Sequence, residues 1–104
     1  MSEFEGMVTN EMRPIHPGEQ LRDELEEIEL SARGLAEALA VPANRITEIL
    51  NEKRGVSADT ALRLARYFGT TPEFWLNLQS AYELRCERLR SGNKIARTVK
   101  PRAA

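Results

Sequence analysis

In the stretch VPANRITEILNEKRG, residues 41 to 55, polar side chains crowd onto a short segment: Asn44, Arg45, Thr47 and Glu48, followed by Lys53 and Arg54. Amide, guanidinium and hydroxyl groups at this density suit base edges and phosphates. Asn and Arg can make two-pronged contacts to adenine and guanine, and basic side chains neutralise phosphate oxygens. Ala43, just ahead of them, is small enough for close approach or for contact with a thymine methyl. Ile46, Ile49 and Leu50 are interleaved with the polar residues at helical spacing. One α-helix would therefore bury the apolar set and turn the polar set outward, where it can enter a major groove. Catalysis has no comparable cluster. His16, the single histidine, has no acid or nucleophile spaced to join it and is expected to cap or pack against the first helix. Cys86 is the single cysteine and lies far from His16, so neither an internal disulfide nor a zinc site can be assembled. No enzyme activity, metal or cofactor is expected.

The outward face needs a frame, and the pattern before and after it is all-helical. Residues 1–15 have no sustained period and are expected to form a loose arm. His16-Pro17-Gly18-Glu19 opens helix one, since Pro is tolerated where its missing N–H has no intrahelical partner. Leu21, Leu25 and Ile28 form its apolar stripe. Ser31 caps helix two, which buries Leu35, Ala36 and Leu39; Pro42 begins helix three. Ser57 caps helix four, with Ala58, Ala61, Leu62, Ala65 and Phe68 on its inner side and Gly69 at its end. Thr71-Pro72 starts helix five, the longest, running to about Arg90. On it Phe74, Trp75, Leu78, Ala81, Tyr82, Cys86 and Leu89 share one arc, while Leu76 and Leu84 fall outside. The aromatic residues of this arc are expected to pack rather than to stack on bases. From Ser91 the chain is basic without an acid and poor in apolar residues, and a mobile tail over 91–104 is expected.

Helices two and three meet the requirements of a helix-turn-helix: a small residue at the crossing, Ala36; a tight turn four residues later, at Ala40; and an apolar anchor, Ile46. Glycine is commoner at such a turn because the backbone takes a positive φ there, and alanine costs about 1 kcal/mol more. Arg33, near the start of helix two, joins Lys53 and Arg54 as an expected phosphate contact.

The net charge of −1 conceals an asymmetry. Residues 1–29 hold nine acids and two bases, and residues 30–104 hold seven acids and thirteen bases. A basic remainder points to a polyanionic partner that the global balance would hide. No run of about 18 apolar residues is present to cross a bilayer, and the acidic start is unlike a secretory signal. A cytoplasmic protein with no membrane partner is expected.

The segments HPGEQL, LAEALAVPANRITEILNEKRG and SADTALRLARYFGTTPEFWLNLQSAYELR resemble the HigA family of antitoxins, the antidotes of addiction modules, within the Xre/Cro-like helix-turn-helix group. The resemblance covers roughly residues 16–85, and HPGE together with PEFWLNLQ is more specific than a helix-turn-helix alone. It implies a five-helix, lambda-repressor-like domain over 16–90, a homodimer, binding to double-stranded operator DNA, repression of its own operon and neutralisation of a HigB/RelE-like ribonuclease toxin. Carried over by position, DNA-facing residues fall on Arg33, Ala43, Asn44, Arg45, Thr47, Glu48, Lys53 and Arg54. The alternative is an Xre-type transcriptional regulator without a toxin partner. Leu76 and Leu84, lacking a place in the core, are expected at the dimer interface, and Glu24, Glu26 and Glu27 of the acidic front are the candidates for toxin binding.

Overall fold

The computed structural model describes residues 13–103, so most of the expected amino-terminal arm lies outside the described residues. Among the described residues the chain forms five α-helices and no strand: α1 Pro17–Ile28, α2 Ala32–Leu39, α3 Ala43–Leu50, α4 Ala58–Phe68 and α5 Pro72–Thr98. The starts follow from cap chemistry, in which a side chain accepts from a backbone N–H that the first turn leaves unpartnered. Ser31 Oγ accepts from Gly34 N at 3.0 Å, Ser57 Oγ from Thr60 N at 3.3 Å, and Thr71 Oγ1 from Phe74 N at 3.1 Å. His16 does the same with an imidazole, its Nδ1 accepting from Gly18 N at 2.9 Å while the residue is buried. Pro42 departs from expectation: it is the N-cap of α3 rather than its first residue, and offers no side-chain acceptor.

The chain divides into two compact units, Ile15–Ser80 and a second whose helical part begins at Ala81. In the first, Leu21, Leu25, Leu35, Leu39, Ile46, Ile49, Leu64 and Trp75 form the buried centre with the small residues Ala36, Ala61 and Ala65 and the loop residue Val56. In α1 and α4 three positions differ from the sequence pattern, Ile28, Ala58 and Leu62, each of which is exposed. Leu62 is 60% exposed and Leu64 is buried in its place. The sets 58/61/62/65/68 and 60/61/64/65/68 are both one helical face and share three members, so packing of α4 against α2 chooses between them. Ile28, the last residue of α1, is also exposed, because the chain turns away at Glu29 with φ 55°.

Trp75 is the buried residue of α5, with Leu76 and Leu78 partly buried beside it against the core. Leu76 therefore does have a place in its own domain, contrary to expectation. An arc averaged over residues 74–89 misplaces the inner face, because only the opening turns of α5 belong to the packed unit. Phe74, assigned to that arc, is instead exposed and meets Trp75 edge-on.

The second unit also corrects the expected tail: α5 does not stop at Arg90, and residues 91–98 are helical. Gly92 costs a helix about 1 kcal/mol, which the better helix formers Arg88, Leu89 and Arg90 before it and Lys94 and Ala96 after it can offset. Glu87 accepts from Arg90 Nη1 one turn on and from Ser91 Oγ at 2.6 Å, and Arg97 stands in the last turn, where a cation complements the helix dipole.

Candidate nucleic-acid interface

Helix α3 is held by α1 and α2. Gly18 touches the far end of α3 so closely that a Cβ on it would run into the carbonyl oxygen of Ile49, which fixes why glycine stands in the HPGE segment. Arg22 Nη2 donates to Leu50 O at 3.1 Å, satisfying a carbonyl that the last turn leaves open. On the other side Ala36 is buried against α3, as the crossing demands. Ala40 takes φ 59° and ψ 47°, the left-handed turn conformation. Its N–H donates to Glu37 O at 3.1 Å and that of Val41 to Ala36 O at 3.0 Å, so the end of α2 is closed by its own backbone. The loop after α3 is held from α5: Gln79 Oε1 accepts from Val56 N at 2.8 Å, and its amide fills the space beside Gly55. That is a structural use for the glutamine of PEFWLNLQ which spacing could not reveal.

With Ile46 and Ile49 buried, Ala43, Asn44 and Thr47 are exposed on the outward face of α3, and Lys53 and Arg54 are exposed in the loop that follows. Arg33 is exposed on α2. Thr47 Oγ1 donates to Ala43 O at 3.0 Å, which leaves its methyl and lone pairs to face outward. Two of the expected cations are not free charges. Arg54 donates Nε and Nη2 to Glu48 Oε1, each at 2.8 Å, so Glu48 balances a phosphate-binding candidate instead of standing apart as an acceptor for bases. Arg45 Nη1 donates to Asp59 Oδ2 at 2.6 Å.

Asp59 and Arg63 are functional-site neighbours that the sequence alone does not mark. Their i, i+4 spacing on α4 marks an ion pair, but nothing local links them to Arg45, fourteen residues earlier in the chain. Hydrogen bonds from Arg63 and then Arg45 hold the Asp59 carboxyl below its ordinary range. Arg63 Nη1 also donates to Leu39 O at 2.8 Å, at the end of α2. A side wall of charge, carboxylate between two guanidiniums, thus stands beside the outward face of α3.

The remaining expected residues are scattered. Glu24 is half-buried and accepts from Gln20 Nε2 at 2.9 Å, whereas Glu26 and Glu27 are exposed on α1. Leu84 is 55% exposed and, within the second unit, lines a shallow groove of about 210 Å³ with Arg88, Gly92 and Ile95.

The helix-turn-helix family model matches residues 21–75 of the chain. Antitoxin HigA-1 of Vibrio cholerae is 42% identical over 91 residues, 86% of this chain and 84% of that protein. Among solved structures, an addiction module antidote protein of the HigA family from Coxiella burnetii superposes with a TM-score of 0.86 at 58% identity, covering 88% of this chain and all of that one. Antitoxin HigA of Pseudomonas aeruginosa, solved with the higBA promoter, superposes with a TM-score of 0.85 at 49% identity, again over 88% of this chain and all of the other. Likeness in sequence and in fold runs through the paired helices and on into α5, and the chain belongs to the HigA family of helix-turn-helix antitoxins.

Proposed function

We propose that the chain is the antitoxin of a toxin–antitoxin module: as a homodimer it binds double-stranded operator DNA through α3, represses its own operon, and neutralises a HigB/RelE-like ribonuclease toxin. The observation that carries the DNA-binding part is the face of α3, where Ala43, Asn44 and Thr47 are exposed while Ile46 and Ile49 are buried, with half-buried Arg45 at its edge and Lys53 and Arg54 beyond. A short helix held by α1 and α2 and presenting small, amide and guanidinium side chains has the shape and donors for a major groove. The pairing of the Pseudomonas relative with a promoter supports the same assignment.

Arg45→Ala should weaken operator binding by about 1–3 kcal/mol and relax the preference at one base pair, as loss of a bidentate base contact does. Lys53→Ala should weaken operator and random duplex alike and flatten the salt slope by about one unit, as loss of one phosphate contact does. Titrations at several salt concentrations separate the two effects. If both variants bind every duplex as the parent does, α3 is not the reading helix.

Neutralisation of the toxin is assigned to the acids of α1. Glu26 and Glu27 are exposed and Glu24 is within reach of the same surface, so a cationic ribonuclease would be drawn to it. Co-expression with the toxin should restore growth with the parent protein. Reversal of Glu24, Glu26 and Glu27 to Lys should abolish that rescue while far-UV circular dichroism stays unchanged. Rescue by the reversed protein would place the toxin surface elsewhere on the chain.

A further inference from the structure

We propose that Asp59 is a positioning residue for sequence reading: it holds the Arg45 guanidinium in the place from which it meets its base pair. This inference rests on the DNA-reading role of α3 proposed above. Asp59 stands in the first turn of α4, outside the helix-turn-helix, and its Oδ2 receives Arg45 Nη1 at 2.6 Å and Arg63 Nε at 3.0 Å. Arg63 is itself tied to backbone through Leu39 O. An unbroken run of contacts therefore connects the end of α2, through two side chains of α4, to the side chain that leaves α3.

A surface arginine is rich in rotamers and loses that freedom when it docks, whereas one already held loses less. The grip on Arg45 uses one guanidinium nitrogen, so Nε and Nη2 remain to donate to a base, and the side chain keeps 27% of its surface exposed. Simple electrostatics predicts the opposite role for Asp59. A carboxylate near the DNA face repels phosphates, and if that were its whole effect, removing it would strengthen binding to every sequence equally.

The two roles separate in a comparison of the full chain with Asp59→Asn, Arg45→Ala and the double variant. Each is titrated against the operator, a panel of operators with single base-pair changes, and a random duplex. Asp59→Asn should bind random duplex a few-fold more tightly, on the order of the effect of one charge. At the base pair that Arg45→Ala relaxes, its discrimination should fall by about tenfold. In the Arg45→Ala background, Asp59→Asn should cause no further loss at that pair. The random-duplex arm guards against misfolding, since an unfolded variant would lose both kinds of binding; should Asp59→Asn unfold, Asp59→Ser, acceptable in a first helical turn, carries the same comparison. Full discrimination in the Asp59 variant overturns the proposal, as does a loss that is equal whether or not Arg45 is present. If Arg45→Ala relaxes no position, the base-reading role of α3 falls first and this inference with it.

Discussion

Trp75→Ala should lower the unfolding free energy by about 3–5 kcal/mol, the range for truncating a large buried aromatic. The indole is 1% exposed and is the side chain by which α5 enters the packed unit. Its ring lies 6.0 Å from that of Phe68 and meets Phe74 edge-on at 5.1 Å, and Nε1 donates to Thr70 Oγ1 at 3.0 Å. Alanine would leave a cavity too deep for the neighbouring helices to close. A domain of this size holds about 5–15 kcal/mol in all, so the variant should lose a large fraction of its stability. Urea denaturation followed by far-UV circular dichroism should give a lower midpoint with an unchanged slope. Trp75→Phe fills most of the space and loses one hydrogen bond, about 1 kcal/mol, so it should lie between the two. An alanine variant as stable as the parent would mean that α5 is not anchored through this residue.

Leu84→Glu should turn the proposed dimer into a folded monomer and remove about half of the operator preference. Specific binding commonly exceeds non-specific binding by about 4–10 kcal/mol, and a dimer gathers it from two half-sites about 34 Å apart. A monomer reading one half-site would forfeit roughly 2–5 kcal/mol. Leu84 is exposed in the single chain, so glutamate there should not disturb the fold, whereas in a helix-to-helix contact it would bury an unpaired charge. The groove it shares with Gly92 and Ile95 offers a partner helix a small residue to approach and two aliphatic side chains to cover. Sedimentation of parent and variant decides. A variant that remains dimeric would move the contact off this face, and a monomeric parent would remove the basis for two half-sites.

Much of the frame was legible because its signals are local. A cap hydroxyl, a Pro in the first turn or a Gly at a helix end acts within three or four residues, and Ser31, Ser57, Thr71 and Gly69 stand where those rules put them. The helix-turn-helix was legible for the same reason, since Ala36, the turn residue Ala40 and Ile46 are fixed relative to each other by two short helices. What escaped depends on partners distant in the chain. The inner face of α4 was ambiguous until α2 lay against it. The pairing of Arg45 with Asp59, and of Val56 with Gln79, joins segments that no periodicity connects. The extension of α5 to Thr98 escaped for a different reason: apolar content falls away after Arg90, while side-chain pairs such as Glu87 with Arg90 and Ser91 sustain the helix without a core.

Ala40 acts on the unfolded chain as well as on the folded one. A left-handed alanine is disfavoured by about 1–2 kcal/mol relative to the right-handed basin, and that strain is present here at φ 59°. Glycine would relieve it, but a glycine also gives the denatured ensemble more conformations to occupy, which lowers stability by about 0.4–1 kcal/mol. The two effects oppose, and the balance favours glycine by about 0–1.6 kcal/mol. A turn of this kind therefore penalises alanine less than its strain alone suggests, and the helix pair can carry either residue at position 40.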